Sequence, residues 1–378
     1  MLEIEQQKKK SVFKTYLIYF IVMVLFCGIR IAVSLGLFSG LNDTLSDVLF
    51  TVTIQVVVLF IIPFCLYMAL IGVKPKAVFK TCNYERTTFS VVMVGFGLGI
   101  IAFVLNIIVS SIFNGMISFT GYQTPLTFAS GAEPNYSTAN FFLQVFLVAI
   151  LPALCEEFLH RGLLLQGTKH IGFTKAIIIS SVCFGLIHFN INQVGYAIVL
   201  GFVMGYAAVI AKNIWVAVII HFTNNFIATY LEFAEARGWL FGNYKTIFEK
   251  MQNLNFILLC VICFAVLCVV SLLLYYFMVL LFKQSILKKI NKAIAKVYKV
   301  GGSSDEPIML EQGQVLQEVL ENNTMINLNY EEMKSPLDVI MPKQKAVYRP
   351  SFKDNIFLIC SLFLGILITL FTYVWGFI

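Results

Sequence analysis

The sequence encodes an all-α, polytopic membrane helix bundle of about eight or nine transmembrane helices. Composition, the length of the apolar runs and the side on which the basic residues fall each point to it. Of 378 residues, 59% are hydrophobic and 12% are charged, against about half apolar and a quarter charged in a soluble domain. A membrane helix needs about 20 predominantly apolar residues, with a range of roughly 17–25. Runs of that kind fall at 13–39, 46–72, 88–113, 140–166, 173–190, 195–211, 214–232, 256–282 and 354–376.

The first run follows Lys8, Lys9 and Lys10, an arrangement shared with signal peptides. It is too long for a signal-peptide apolar region and has no evident cleavage site, so a retained helix is expected. The next connections test the count through their charge. Lys74, Lys76, Lys80 and Arg86 follow the second run, Lys169 and Lys175 the fourth, Lys212 the sixth, and Lys283, Lys288, Lys289, Lys292, Lys296 and Lys299 the eighth. All of these share one side with the N-terminal lysines if every run crosses. The other side carries Asp43, Asp47, Glu133 and the 189–194 turn. Basic loops stay inside, which predicts a cytoplasmic N-terminus and an external C-terminus. The net charge of +7 therefore speaks to orientation in the bilayer, and no nucleic-acid partner is expected. The nine cysteines lie mostly in apolar runs, and Cys260 and Cys263 read as helix-packing residues. Neither a disulfide framework nor a zinc ribbon is predicted.

Residues 283–353 form a cytoplasmic loop, the only sizeable soluble piece. Its start, 283–300, alternates Ile286, Leu287, Ile290, Ile294 and Val297 with lysines, the pattern of a basic amphipathic helix lying on the inner membrane surface. It reads more readily as an extension of the eighth helix than as a partner-binding arm. An acidic stretch follows Gly301 and Gly302. The remaining parts are the N-terminal helices (1–87), a core (88–232), a further helix region (233–282) and a C-terminal helix (354–378).

Ionisable groups at membrane depth cost roughly 2.5–3.5 kcal/mol each on insertion scales and mark function by default. Here Glu156, Glu157, His160 and Arg161 share the fourth run, His188 lies in the fifth and His221 in the seventh; Arg30 is the clear outlier elsewhere. Positions four apart share a helix face, so Glu157 can pair with Arg161. Glu156 points about 100° away and stays free to face a cavity. Pro152 removes a backbone hydrogen bond and kinks the helix beside it. His221 and Asn225 share a face, and a neutral amide suits a carbonyl oxygen or a developing oxyanion. Phe184 is expected to pack beside His188. His160 reads more readily as a polar residue near the inner helix end than as a further ligand or proton partner. Gly201 and Gly205 form a small-xxx-small pair that permits close helix approach.

Glu156-Glu157-Phe158-Leu159-His160-Arg161 resembles the EExxxR motif of the CAAX-protease and bacteriocin-processing (CPBP, or Abi) family of intramembrane proteases. Phe184 to His188 resembles its FxxxH motif and His221 to Asn225 its HxxxN motif, in the same order, over roughly residues 88–230. The resemblance implies an intramembrane endopeptidase in a bacterial cell membrane, acting on a membrane-associated peptide or protein. It implies that Glu156 and His188 activate water, that His221 and Asn225 steady the oxyanion, and that Glu157 and Arg161 support the site.

The family carries a metalloprotease label, and two mechanisms fit these residues. Zinc held by Glu156, His188 and His221 would leave a position open for water. Without metal, Glu156 is the general base, made a better proton acceptor by apolar surroundings that disfavour its charged form. The metal-free mechanism employs all four residues and is preferred, because a neutral amide such as Asn225 is a poor zinc ligand. Two other functions compete. A transporter could route protons through buried charges, although no inverted repeat is evident. A non-catalytic relative could serve as a membrane scaffold or regulator.

Overall fold

The computed structural model describes residues 2–38, 40–122, 135–244, 246, 256–287 and 349–375. These residues are helices and their connections, with no strand among them. In chain order the helices are α1 (Leu2–Ser34), α2 (Thr44–Ile71), α3 (Pro75–Thr81), α4 (Phe89–Ser118), α5 (Thr138–Ile171), α6 (Phe173–Leu186), α7 (Ile191–Ala211), α8 (Ile214–Arg237), α9 (Phe256–Phe282) and α10 (Phe352–Trp375). Eight of them are long and apolar enough to cross a membrane. Large side chains such as Phe264, Leu272, Phe363 and Phe371 stand exposed on α9 and α10. A belt of that size needs lipid rather than water, so this is an integral membrane protein. Most of the 283–353 loop, including the amphipathic stretch after Leu287, lies outside the described residues.

Two apolar clusters build the bundle around α5. One joins α1, α2 and α10 to α5 and α6 through Tyr16, Tyr19, Val58, Leu159 and Ile187. The other joins α4, α7, α8 and α9 through Leu98, Met204, Ala217 and Leu281, with Phe184 of α6 on its border. Gly201 and Gly205 set α7 close against α6: an added methyl would lie 2.9 Å from the Ser181 Cα and 3.1 Å from Ile177, respectively.

Proline shapes α2 and α5 in the same way. A π-helical stretch, Thr53–Ile61, precedes Pro63 in α2, and another, Val145–Ile150, precedes Pro152 in α5. Proline lacks an N–H and its ring presses on the carbonyl four residues back. A wider turn ahead of it relieves that clash. A third π stretch, Phe158–Leu164, carries His160 and Arg161.

The fifth run is shorter than the sequence predicts. Helix α6 ends at Leu186, not 190, and α7 starts at Ile191, not 195. Fourteen residues rise only about 21 Å, short of the roughly 30 Å hydrocarbon core. The helix stops because Phe189, buried against Phe26, takes a left-handed backbone (φ 49°). His188 thus sits in a turn rather than on a helix. Irregular backbone at membrane depth must be satisfied by the surrounding protein. Arg30 of α1 donates to the His188 carbonyl at 2.9 Å, and the Ile191 N–H donates to Thr372 of α10 at 3.1 Å.

Contacts between loops place the basic connections at one end. Lys14 donates to the Leu70 carbonyl, Gly167 lies against Thr15, the Ile214 N–H reaches Asn83 and the Asn213 amide reaches Glu85. The Arg30–His188, Asn192–Tyr122 and Tyr373–Thr120 contacts close the other end.

Candidate active site

The acidic pair sits where α5 is hemmed in from both sides. Glu156 and Glu157 end its central α-helical stretch, Leu151–Glu157, and consecutive positions on a helix diverge by about 100°. Glu156 turns to α2, where the Gln55 amide donates to its Oε1 at 2.8 Å. Glu157 turns to α8. Its Oε1 accepts from Arg161 at 2.9 Å and from His221 Nδ1 at 2.9 Å. Arg161 also donates to the Gly201 carbonyl at 3.0 Å, so it ties α5 to α7. The pairing of Glu157 with Arg161 follows from spacing; its second partner, His221, does not. Glu156 Oε2, Glu157 Oε2 and Arg161 Nε are buried and have no hydrogen-bond partner among the described residues.

Phe184 organises the histidines. Its ring centroid lies 5.2 Å from that of His160, 5.2 Å from that of His188 and 5.5 Å from that of His221, and the Arg161 guanidinium sits 4.4 Å from it. The cation rests on the ring face. His188 Nδ1 bonds the Phe184 carbonyl at 2.8 Å. A carbonyl only accepts, so Nδ1 carries a proton, and in the neutral ring Nε2 is the acceptor. His160 differs from the sequence expectation of a near-surface residue at the helix end. It is fully buried, with its Nδ1 donating to the Glu156 carbonyl at 2.8 Å and its Nε2 3.4 Å from the Tyr19 hydroxyl. Tyr19 in turn donates to the Cys183 carbonyl at 2.9 Å.

Asn225 resolves what Pro152 leaves open. Without an N–H at Pro152, the carbonyl four residues earlier, that of Val148, loses its helical donor. The Asn225 amide donates to that carbonyl at 2.9 Å. Its own Oδ1 accepts from Asn224, which accepts from Asn106, whose Oδ1 accepts from Ser110. The relay fixes which end of the amide faces α5. One N–H of Asn225 remains beyond the Val148 bond.

The candidates do not all meet by direct bonds. Among the described residues no hydrogen bond joins Glu156 to His188 or to His221. Nor does any group of three His, Cys, Asp or Glu side chains lie together as metal ligands. Glu156 Oε1 and His221 Nδ1 are committed to Gln55 and Glu157. Those bonds leave Glu156 Oε2, His188 Nε2 and His221 Nε2 as the atoms that could face a metal, and the three side chains are not gathered into a ligand set for zinc. The described cysteines are free. Outside the spans, Tyr84 packs edge-on to Trp215 beneath Glu157, and burial raises its phenol, with Cys82, Cys155 and Glu157 adding to the effect.

Sequence reasoning missed Gln55, Asn106, Asn224 and Tyr19. Gln55 and Asn106 had a signal: each is a lone amide inside a run of apolar residues, and the test applied to charges applies to amides in weaker form. Tyr19 had none, since tyrosine is ordinary in such helices.

Residues 138–227 match the family model described as type II CAAX prenyl endopeptidase Rce1-like, so this part of the chain is similar to that family. The match runs from the start of α5 into α8 and takes in all three motifs. No curated protein and no solved structure matches the chain.

Proposed function

We propose that the protein is an intramembrane endopeptidase that cleaves a membrane-associated peptide or protein, with Glu156 as the general base. The supporting observation is the state of its carboxylate. One oxygen is held by Gln55, and the other is buried and unpartnered among the described residues, within the segment similar to the Rce1-like family. A carboxylate fixed at one oxygen presents the other in a defined direction, which is what proton abstraction from water needs. His188 offers Nε2 as the partner that shares the abstracted proton.

Oxyanion stabilisation falls to Asn225 and His221. Asn225 has the spare N–H. His221 donates through Nε2 only as an imidazolium, because its Nδ1 already bonds Glu157. Glu157 and Arg161 are therefore supporting residues that orient and neutralise rather than attack. The chemistry so described uses no metal. The basic end of the bundle is read as cytoplasmic, with the N-terminus on that side.

The test uses the full chain in proteoliposomes, with internally quenched CAAX-terminated peptides, farnesylated and unmodified. Wild type is expected to cleave at least one, and Glu156→Gln to lose turnover at least a hundredfold while keeping its yield and melting temperature. Glu156→Gln cleaving like wild type would end this assignment. Elemental analysis of active protein, with chelation and zinc add-back, is expected to show activity independent of zinc. Stoichiometric zinc, with activity lost on its removal and regained on its return, would replace the mechanism with a metal-dependent one.

A further inference from the structure

Gln55 sits in the π-helical stretch of α2, outside the 138–227 match, and faces the α-helical stretch that carries Glu156. It is 8% exposed and Glu156 7%. The amide N–H is used on Glu156 Oε1, while Gln55 Oε1 and Glu156 Oε2, the other oxygens of the same two bonded groups, are both buried acceptors with no partner among the described residues. An amide kept only to join two helices would be matched at both ends, since an unmet buried acceptor costs about 1–3 kcal/mol. Here the polar group is retained at a cost, and the amide and the carboxylate each keep one bare acceptor.

We propose that Gln55 is a positioning residue for Glu156 and for the attacking water, an inference that rests on the peptidase reading above. The Gln55 N–H locks Oε1 and so aims Oε2. A water molecule has two hydrogens, and on this proposal it bridges these two acceptors. One hydrogen goes to Gln55 Oε1 and one to Glu156 Oε2, which leaves the water's lone pairs for the scissile carbonyl. In the step itself the water oxygen bonds the carbonyl carbon, its hydrogen moves to Glu156 Oε2, and the carbonyl π pair moves onto oxygen. When the tetrahedral adduct collapses, the C–N bond breaks and the leaving amine takes that proton. A neutral amide suits the task because it supplies a donor and an acceptor without a charge that would compete with Glu156. On this account the N-terminal helices complete the site.

Two readouts test it together. The first is steady-state cleavage, by proteoliposomes, of whichever quenched peptide the wild type cleaves. Gln55→Met keeps length and volume but removes both polar atoms, and it is expected to lower kcat about tenfold to a hundredfold, the scale of a misaimed reacting group, with KM within twofold. The second is the Glu156 carboxylate stretch, assigned by infrared difference between wild type and Glu156→Gln. Gln55→Met is expected to move this band, because a hydrogen bond on Oε1 is lost. If Gln55→Met does not accumulate, Gln55→Asn withdraws the amide by one methylene and reads the same contact. A folded variant with wild-type kcat, with its loss in KM alone, or with an unmoved band overturns the proposal. If Glu156→Gln retains cleavage, or if wild type cleaves no peptide, the peptidase reading falls instead, and the infrared band alone decides whether Gln55 aims Glu156.

Discussion

The Rce1-like segment, α5 to α8, and the flanking helices α1, α2 and α10 treat polar groups in opposite ways. Within the segment, charged side chains find one another: Glu157, Arg161 and His221 form a closed set on a single carboxylate oxygen. The flanks contribute single polar atoms, each aimed at something the segment leaves open. Gln55 takes Glu156, Tyr19 lies against His160, Arg30 takes the His188 carbonyl and Thr372 takes the Ile191 N–H. The segment thus holds the groups proposed to react, and its surroundings contact them from outside. In enzymes this outer layer decides whether a constellation is merely present or correctly aimed.

The contrast is broken hardest at Glu157. Glu157→Ala leaves Arg161 buried against Phe184 without its counter-ion and frees His221. Losing one partner of a buried pair costs about 3–5 kcal/mol, so the variant is expected to melt far below wild type and to lose cleavage. A thermal melt of purified protein checks this, and a melting point equal to wild type would mean that the ion pair does not hold the bundle.

Asn225 sharpens the contrast, since it holds the Val148 carbonyl and is also the proposed oxyanion donor. Asn225→Leu is expected to cost about 1–3 kcal/mol through the unmet Val148 carbonyl and about a hundredfold to a thousandfold in kcat through the lost oxyanion donor. Pro152→Ala returns an N–H to Val148. Adding it to Asn225→Leu is therefore expected to recover stability, with a coupling of about 1 kcal/mol, but not turnover. Additive stabilities in the double-mutant cycle would separate the two residues.

The smallest effect is expected on the flank. Arg30→Ala removes one charge-assisted bond to the His188 turn, worth about 1.5–3 kcal/mol when buried and less here because Arg30 is partly exposed. Turnover is expected to fall several-fold, with no change in which peptide bond is cut, as mass spectrometry of the products would show. A shifted cleavage site would mean that Arg30 touches substrate instead.

Helix periodicity and membrane cost made much of this protein legible before any coordinates. Apolar run length marks the helices, because a bilayer admits backbone only in self-satisfied form. Four-residue spacing marks the Glu157–Arg161 pair, and the divergence of adjacent residues separates Glu156 from Glu157. Where that reasoning failed, the cause was tertiary. The 173–190 run is equally apolar whether it ends at Leu186 or at Asn190, and what ends it early is Phe189 fitting a pocket against Phe26 while Arg30 and Thr372 cover the broken backbone.

The same division holds at the site. Spacing along one helix can name a carboxylate, an imidazole and an amide, and a proline can announce a carbonyl in need of a donor. Which side chain answers is a matter of helix packing across long separations: Gln55 meets Glu156 from 101 positions away, His221 meets Glu157 from 64 and Asn225 meets Val148 from 77. Local periodicity carries no information about such neighbours, because the van der Waals fit that seats α2 and α8 against α5 is made by apolar residues that look alike in sequence.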